Sequence, residues 1–378
     1  MPALAQRLAI ARPMPRLAPV IRATLQSSSI RGSGPYLQRL AFWPLGPLTM
    51  NTKLHTFLYA AAILAAVACG KKSSTPVDDE EVFVDRESLV MYASDPKGAP
   101  ADSPSTPEKV ELGKMIFSEQ KLAKAGDVSC ASCHDPAKHF ADSGKATSAG
   151  AGGAQTRRNA PGLVNASKNS YFFWDYRATT IEDAVLQHLK EITTYGFADE
   201  AGLTAKAKEI VSVKAAFQKA FPGEADPVNA ANFSKAVGAY LRTLTVKTRF
   251  DAYLDGDDKA LDNKEKRGLK LFTGVLNCTT CHNSRLVGGM LPNKFGTLKA
   301  YDTKDLGRYE LTKKDEEKHM YKVPALTNVA RTAPYFHDGS AKTLEEAVSK
   351  MSVHQFGREI KPEELADVVG FLSALNAK

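Results

Sequence analysis

Cys130-Ala-Ser-Cys133-His134 and Cys278-Thr-Thr-Cys281-His282 decide how this 378-residue chain is read. Each has the spacing of a c-type haem attachment site, in which two thiols add across the haem vinyl groups and the adjacent histidine supplies an axial nitrogen to iron. Together they use four of the five cysteines and two of the eight histidines. A thioredoxin-like pair would need a βαβ context, which the sequence lacks, and a four-thiol zinc site would leave both trailing histidines unexplained. Two covalent haem c groups per chain are therefore expected.

The fifth cysteine has a different setting. Met50-Asn-Thr-Lys53 precedes an apolar run from Phe57 to Ala68 and then Cys69, and this resembles a bacterial lipoprotein signal over residues 50–69 with Cys69 as the lipidated residue. Residues 1–49 are Arg-rich and free of Asp and Glu, and read as an over-extended N-terminus with Met50 as the true start. Seven of the fifty Lys and Arg fall in residues 1–69, leaving 43 basic residues against all 42 acidic ones in the rest. The near-neutral remainder gives no charge argument for binding nucleic acid. A periplasmic protein, held by lipid to a membrane of a Gram-negative cell, is the expectation.

Residues 70–105 are rich in Lys, Ser, Pro, Asp and Gly and read as a tether. The rest is long enough for two haem domains, here placed at 106–247 and 248–378. Leu112-Gly113-Lys114 with Phe117 precedes the first motif and Gly268-Leu269-Lys270-Leu271-Phe272 the second, a hint of duplication. Helix starts are legible at Thr106-Pro107-Glu108, at Thr180 with Asp183, and at Lys361-Pro362-Glu363-Glu364. Thr343-Leu344-Glu345-Glu346 reads as a capping box opening a helix to about Ser352. No stretch alternates long enough to demand a sheet. The expected fold is all-α, two cytochrome-c-like modules side by side.

From about Val110 to Ala377 the chain resembles the bacterial di-haem cytochrome c peroxidases and their MauG-like relatives. The resemblance rests on Arg158-Asn159-Ala160-Pro161, Phe173-Trp174-Asp175-Tyr176-Arg177-Ala178, Lys322-Val323-Pro324-Ala325-Leu326-Thr327-Asn328, and Ala333-Pro334-Tyr335-Phe336-His337-Asp338-Gly339. It implies a C-terminal electron-transfer haem held by His282 and, fourteen residues after His337, by Met351; Met320 is a competing sulfur. MauG-like proteins have Tyr where Met351 stands. It further implies that Trp174 relays electrons between the haems, and that Asn159, Thr332 and Pro334 hold Ca2+ through oxygen atoms.

This chain departs from the family pattern near the first haem. The segment Ala149 to Ala154 has no histidine where many members carry a capping one, and the family's Gln and Glu positions fall at Ala184 and Thr194. His188, fourteen residues after Trp174, and Glu191 one turn later are the alternative proton carriers. His188 could equally ligate the iron, or be a surface residue of an amphipathic helix. The resemblance implies a peroxidase that reduces H2O2 at the His134 haem with electrons from a small periplasmic cytochrome c or cupredoxin, and a homodimer. A MauG-like oxidase acting on a protein partner and a pure electron-transfer cytochrome are the alternatives.

Overall fold

The computed structural model describes residues 82, 84–85, 89, 92 and 103–377. The expectations for residues 1–69, including Cys69, lie outside the described residues. Helices dominate. In chain order they are α1 (Pro107–Ser118), α2 (Cys130–Cys133), α3 (Ile181–Leu189), α4 (Ile192–Tyr195), α5 (Glu200–Glu209), α6 (Val211–Ala220), α7 (Ala230–Thr243), α8 (Arg249–Leu254), α9 (Asn263–Thr273), α10 (Tyr309–Thr312), α11 (Leu344–Phe356) and α12 (Pro362–Ala374). The caps are the ones the sequence announces: Thr106 accepts from Lys109 N, Thr180 from Asp183 N and Thr343 from Glu346 N. Glu346 caps Lys342 N rather than Thr343 N, so the box at the start of α11 is displaced by one residue.

Two large apolar cores form, one from each part of the chain, with a smaller third around Phe295, Tyr321 and Phe336. The first joins Leu112, Ile116 and Phe117 of α1 with Ile181, Phe217, Phe233, Val237 and Leu241. The second joins Leu269 and Phe272 of α9 with Phe250, Tyr253, Val368, Phe371 and Leu372. At the centre of each, a glycine lets two helices touch. A Cβ on Gly113 would lie 2.0 Å from the Ala236 carbonyl oxygen of α7, and one on Gly268 would lie 2.0 Å from that of Asp367 in α12. In both parts an asparagine in the left-handed region (φ 58° at Asn165, 67° at Asn328) ties the loop beside the cavity to the end of the crossing helix. Asn165 N donates to Leu244 O and its side chain accepts from Val246 N; Asn328 N donates to Leu375 O and its side chain accepts from Ala377 N.

The structure corrects the sequence reading in two places. A short antiparallel pair, β1 (Pro292–Lys294) and β2 (Met320–Lys322), interrupts the helical pattern. Three-residue strands are too short to show alternation, which is why none was expected. The supposed tether also contributes to the second core. Val84, Leu89 and Tyr92 are buried there, Tyr92 lies edge-on to Phe250 at 5.4 Å, and its hydroxyl donates to His282 O at 3.2 Å. Burying side chains of this kind stabilises by roughly 2 kcal/mol each, more than a tether would forgo, and the sparse apolar residues of a polar stretch are the ones used.

Candidate functional site

A cavity of about 910 Å³ runs between the two cores and is lined by both Cys-x-x-Cys-His motifs. The four thiols are unbridged. Burial pushes Cys130 up to about 11 and Cys278 up to about 12, so both are neutral thiols. Among the described residues there is no group of three or more His, Cys, Asp or Glu side chains arranged to hold a metal ion.

The two motif histidines are held alike. His134 Nδ1 faces the Phe140 carbonyl at 3.3 Å and His282 Nδ1 faces that of Val287 at 3.2 Å. A carbonyl only accepts, so Nδ1 carries the hydrogen and Nε2 keeps its lone pair for iron. Burial lowers both histidines to about 4, which keeps them neutral. Phe140 and Val287 pay for this geometry with positive φ (57° and 54°), a strained conformation for such side chains. Gly288 (φ 129°) is required beside the second motif, since a Cβ would lie 2.2 Å from Pro324 O. Unpaired thiols flanking a neutral, oriented imidazole on the wall of an apolar cavity fit covalent haem c at both places.

Trp174 sits at the seam. Its indole N–H donates to Asn159 O at 2.9 Å and its own carbonyl accepts from Lys322 N at 2.8 Å. Its ring centroid is 6.3 Å from that of His337, whose carbonyl accepts from Asn159 N at 2.8 Å. Met351 lines the cavity, whereas Met320 sits on β2 and does not.

His188 is also a lining residue and not a surface one. Burial first, then the Arg177 guanidinium, lowers it to about 4, and its ring stacks on Phe173 at 6.2 Å. Glu191 differs from expectation. Helix α3 ends at Leu189, so Glu191 is no turn of that helix; it caps α4, and its carboxylate is 2.7 Å from Arg177 Nη2. Thr194, at the family's Glu position, donates its hydroxyl to the His188 and Glu191 carbonyls at 2.8 and 2.7 Å and so fixes the end of α3. Asn159, Thr332 and Pro334 all line the cavity, but Asn159 O accepts from Trp174 and the Thr332 hydroxyl donates to Val329 O.

Sequence reasoning missed the charged wall. Arg158 bridges Asp175 and Asp305, each at 2.6 Å, and Lys322 is buried at the cavity with its pKa lowered to about 8 by that burial. Isolated Arg and Lys codons carry no periodic signal; only the fold brings residues 158, 175, 305 and 322 together.

The sequence model of the di-haem cytochrome c peroxidase family matches residues 107–259. The cytochrome c551 peroxidase of Nitrosomonas europaea is 35% identical over 294 residues, 76% of this chain and 85% of that protein. The chain belongs to the di-haem cytochrome c peroxidase family. It is thereby an oxidoreductase whose cofactors are haem c. The cytochrome c551 peroxidase of Pseudomonas aeruginosa is 36% identical over 73% of this chain and 80% of its own length. The methylamine utilization protein MauG of Methylorubrum extorquens is 30% identical, over 74% and 81%. Among solved structures, a MauG-like protein associated with microbial copper homeostasis superposes with a TM-score of 0.67 at 26% identity, covering 80% of this chain and 96% of that one.

Proposed function

We propose that this chain is a di-haem peroxidase that reduces H2O2 with electrons from a small periplasmic cytochrome c or cupredoxin. The observation that carries the reading is the single cavity lined by both haem-attachment motifs with Trp174 at the seam between them. Two cytochrome-c-like modules, 106–247 and 248–378 with Val84, Leu89 and Tyr92 added to the second, give each motif its own core. Bound there, the haems would supply the redox chemistry of a two-electron peroxide reduction.

The residues of the chain do the rest. His134 and His282 present Nε2 to the cavity, held by the Phe140 and Val287 carbonyls. His282 and Met351 would hold the second haem iron, and a thioether donor there would raise the potential of that site and suit it to accept electrons. Trp174, hydrogen-bonded to both parts of the chain, offers an indole path between the sites. The buried ammonium of Lys322 and the Arg158 guanidinium suit the carboxylates of the cofactor. The neutral imidazole of His188 can take a proton or bind a metal. Anchoring through Cys69 would hold the enzyme at a periplasmic membrane face; no helix among the described residues is long and apolar enough to cross a membrane.

The assay is stopped-flow oxidation of a pre-reduced small cytochrome c by H2O2 in the presence of the holoprotein. The expected result is two donor equivalents oxidised per peroxide, as H2O2 + 2 electrons + 2 H+ give two waters. Absence of donor oxidation at full haem content overturns the proposal. A second reading, peroxide-driven oxidation of a protein partner, is favoured by the 30% identity to MauG. Met351, standing where MauG-like proteins have Tyr, speaks for the donor-driven peroxidase.

A further inference from the structure

The two parts of the chain repeat one another with a constant shift of 163 positions through the segment around Trp174, which falls on His337. Under that shift Pro161 falls on Pro324, Leu163 on Leu326, Asn165 on Asn328, Phe173 on Phe336, Asp175 on Asp338, Ala178 on Ala341, Thr180 on Thr343 and Val185 on Val348. The geometry follows the register. Isolated bridges pair Phe172 with Ala178 and Tyr335 with Ala341. Phe173 and Phe336 both take positive φ (61° and 71°). Thr180 and Thr343 cap α3 and α11 through the third residue on. Hydrogen bonds across the seam are reciprocal: Asn159 N donates to His337 O and Lys322 N to Trp174 O, both at 2.8 Å, which is one bond and its mate under a local two-fold relation.

The same shift places His188 on Met351. Each is the eighth residue after its helix cap, and each lines the cavity that the two motif histidines also line. The His188 main chain is pinned by the Thr194 hydroxyl, and its ring is backed by Phe173, on whose face Arg177 lies at 3.5 Å. The competing histidine, His139, lies in the loop that holds the His134 ring through Phe140, five residues from His134. Gly150 lies within the segment where a capping histidine would be sought; it packs so closely that a Cβ would lie 1.7 Å from Thr193 O.

We infer that His188 is the distal iron ligand of the first haem, the counterpart of Met351 at the second. The inference rests on the di-haem reading above. The resting protein then holds one bis-histidine and one histidine–methionine iron, and peroxide reaches the first only when His188 leaves. The test uses the fully oxidised holoprotein, with covalent haem counted by pyridine haemochrome and ligation read by low-temperature EPR and near-infrared magnetic circular dichroism.

Two covalent haems and two low-spin signals are expected. His188→Gly should turn the signal of one haem high-spin and leave the histidine–methionine signal untouched, which also shows that the variant is folded; free imidazole should restore low spin. His188→Met should give a second histidine–methionine band. A high-spin resting haem in the wild type, or a His188→Gly variant that stays low-spin without added imidazole, overturns the inference while leaving the peroxidase reading intact. Conversion to high spin by His139→Ala instead of His188→Gly does so as well. Fewer than two covalent haems overturns both.

Discussion

The first and second parts of this molecule share a frame and differ where the frame meets the cavity. Gly113 and Gly268 make the same helix contact, Asn165 and Asn328 tie the same loop, and Phe140 and Val287 hold the motif histidines through equally strained backbone. Against this sameness, Trp174 stands opposite His337, His188 opposite Met351, and Arg177 opposite Ser340. The difference teaches that one scaffold, used twice, can present different cavity-facing side chains at equivalent positions.

The comparison breaks most visibly at the cofactor. Cys281→Ala should reduce covalent haem from two to one and abolish donor oxidation, and Cys130→Ala should likewise leave one haem, at the other motif. An unchanged haem count in the haemochrome assay contradicts the attachment sites. Next come the crossing glycines. Gly113→Ala and Gly268→Ala should each destabilise by about 3 kcal/mol or more, because backbone oxygen stands where the methyl must go. Gly223→Ala, with open space around it, should be near neutral in the same denaturant series. Unequal costs at Gly113 and Gly268 would sharpen the comparison by showing which frame relaxes more easily.

Much of this was legible in sequence, and for local reasons. The haem motifs are contiguous, and the starts of α1, α3, α11 and α12 follow from Thr and Pro caps that act within one turn. The duplication was visible only near Gly113 and Gly268, because the matching positions after Trp174 and His337 are scattered and their side chains at the cavity differ. The contribution of Leu89 and Tyr92 to the second core, the β1–β2 pair and the Arg158 bridge depend on long-range contacts that no local period announces.

That Arg158 bridge belongs to one part of the chain more than the other and yields a pH signature. Burial alone would raise Asp305, but its hydrogen bonds and charge interaction with Arg158 outweigh this and lower it from 3.8 to about 2. A carboxylate depressed on folding stabilises above its unfolded value and loses that contribution as pH falls through the folded one. Asp305→Asn should therefore cost about 2 kcal/mol at pH 7, and the gap to wild type should close between about pH 4 and pH 2. A gap independent of pH would mean that packing, not charge, is lost. The smallest effect is expected at the loop ties. Asn165→Ala and Asn328→Ala each leave one backbone N–H without its side-chain partner, at about 1.5 kcal/mol apiece in equilibrium unfolding.

The central claim is that one chain carries two equivalent haem frames around one cavity. Intact-mass analysis of the purified protein, followed by mapping of the haem peptides, tests it most directly. The account predicts two covalent haems, one on the peptide containing Cys130 and Cys133 and one on that containing Cys278 and Cys281. A single haem, or a Cys130–Cys133 or Cys278–Cys281 disulfide in the mature protein, would contradict it.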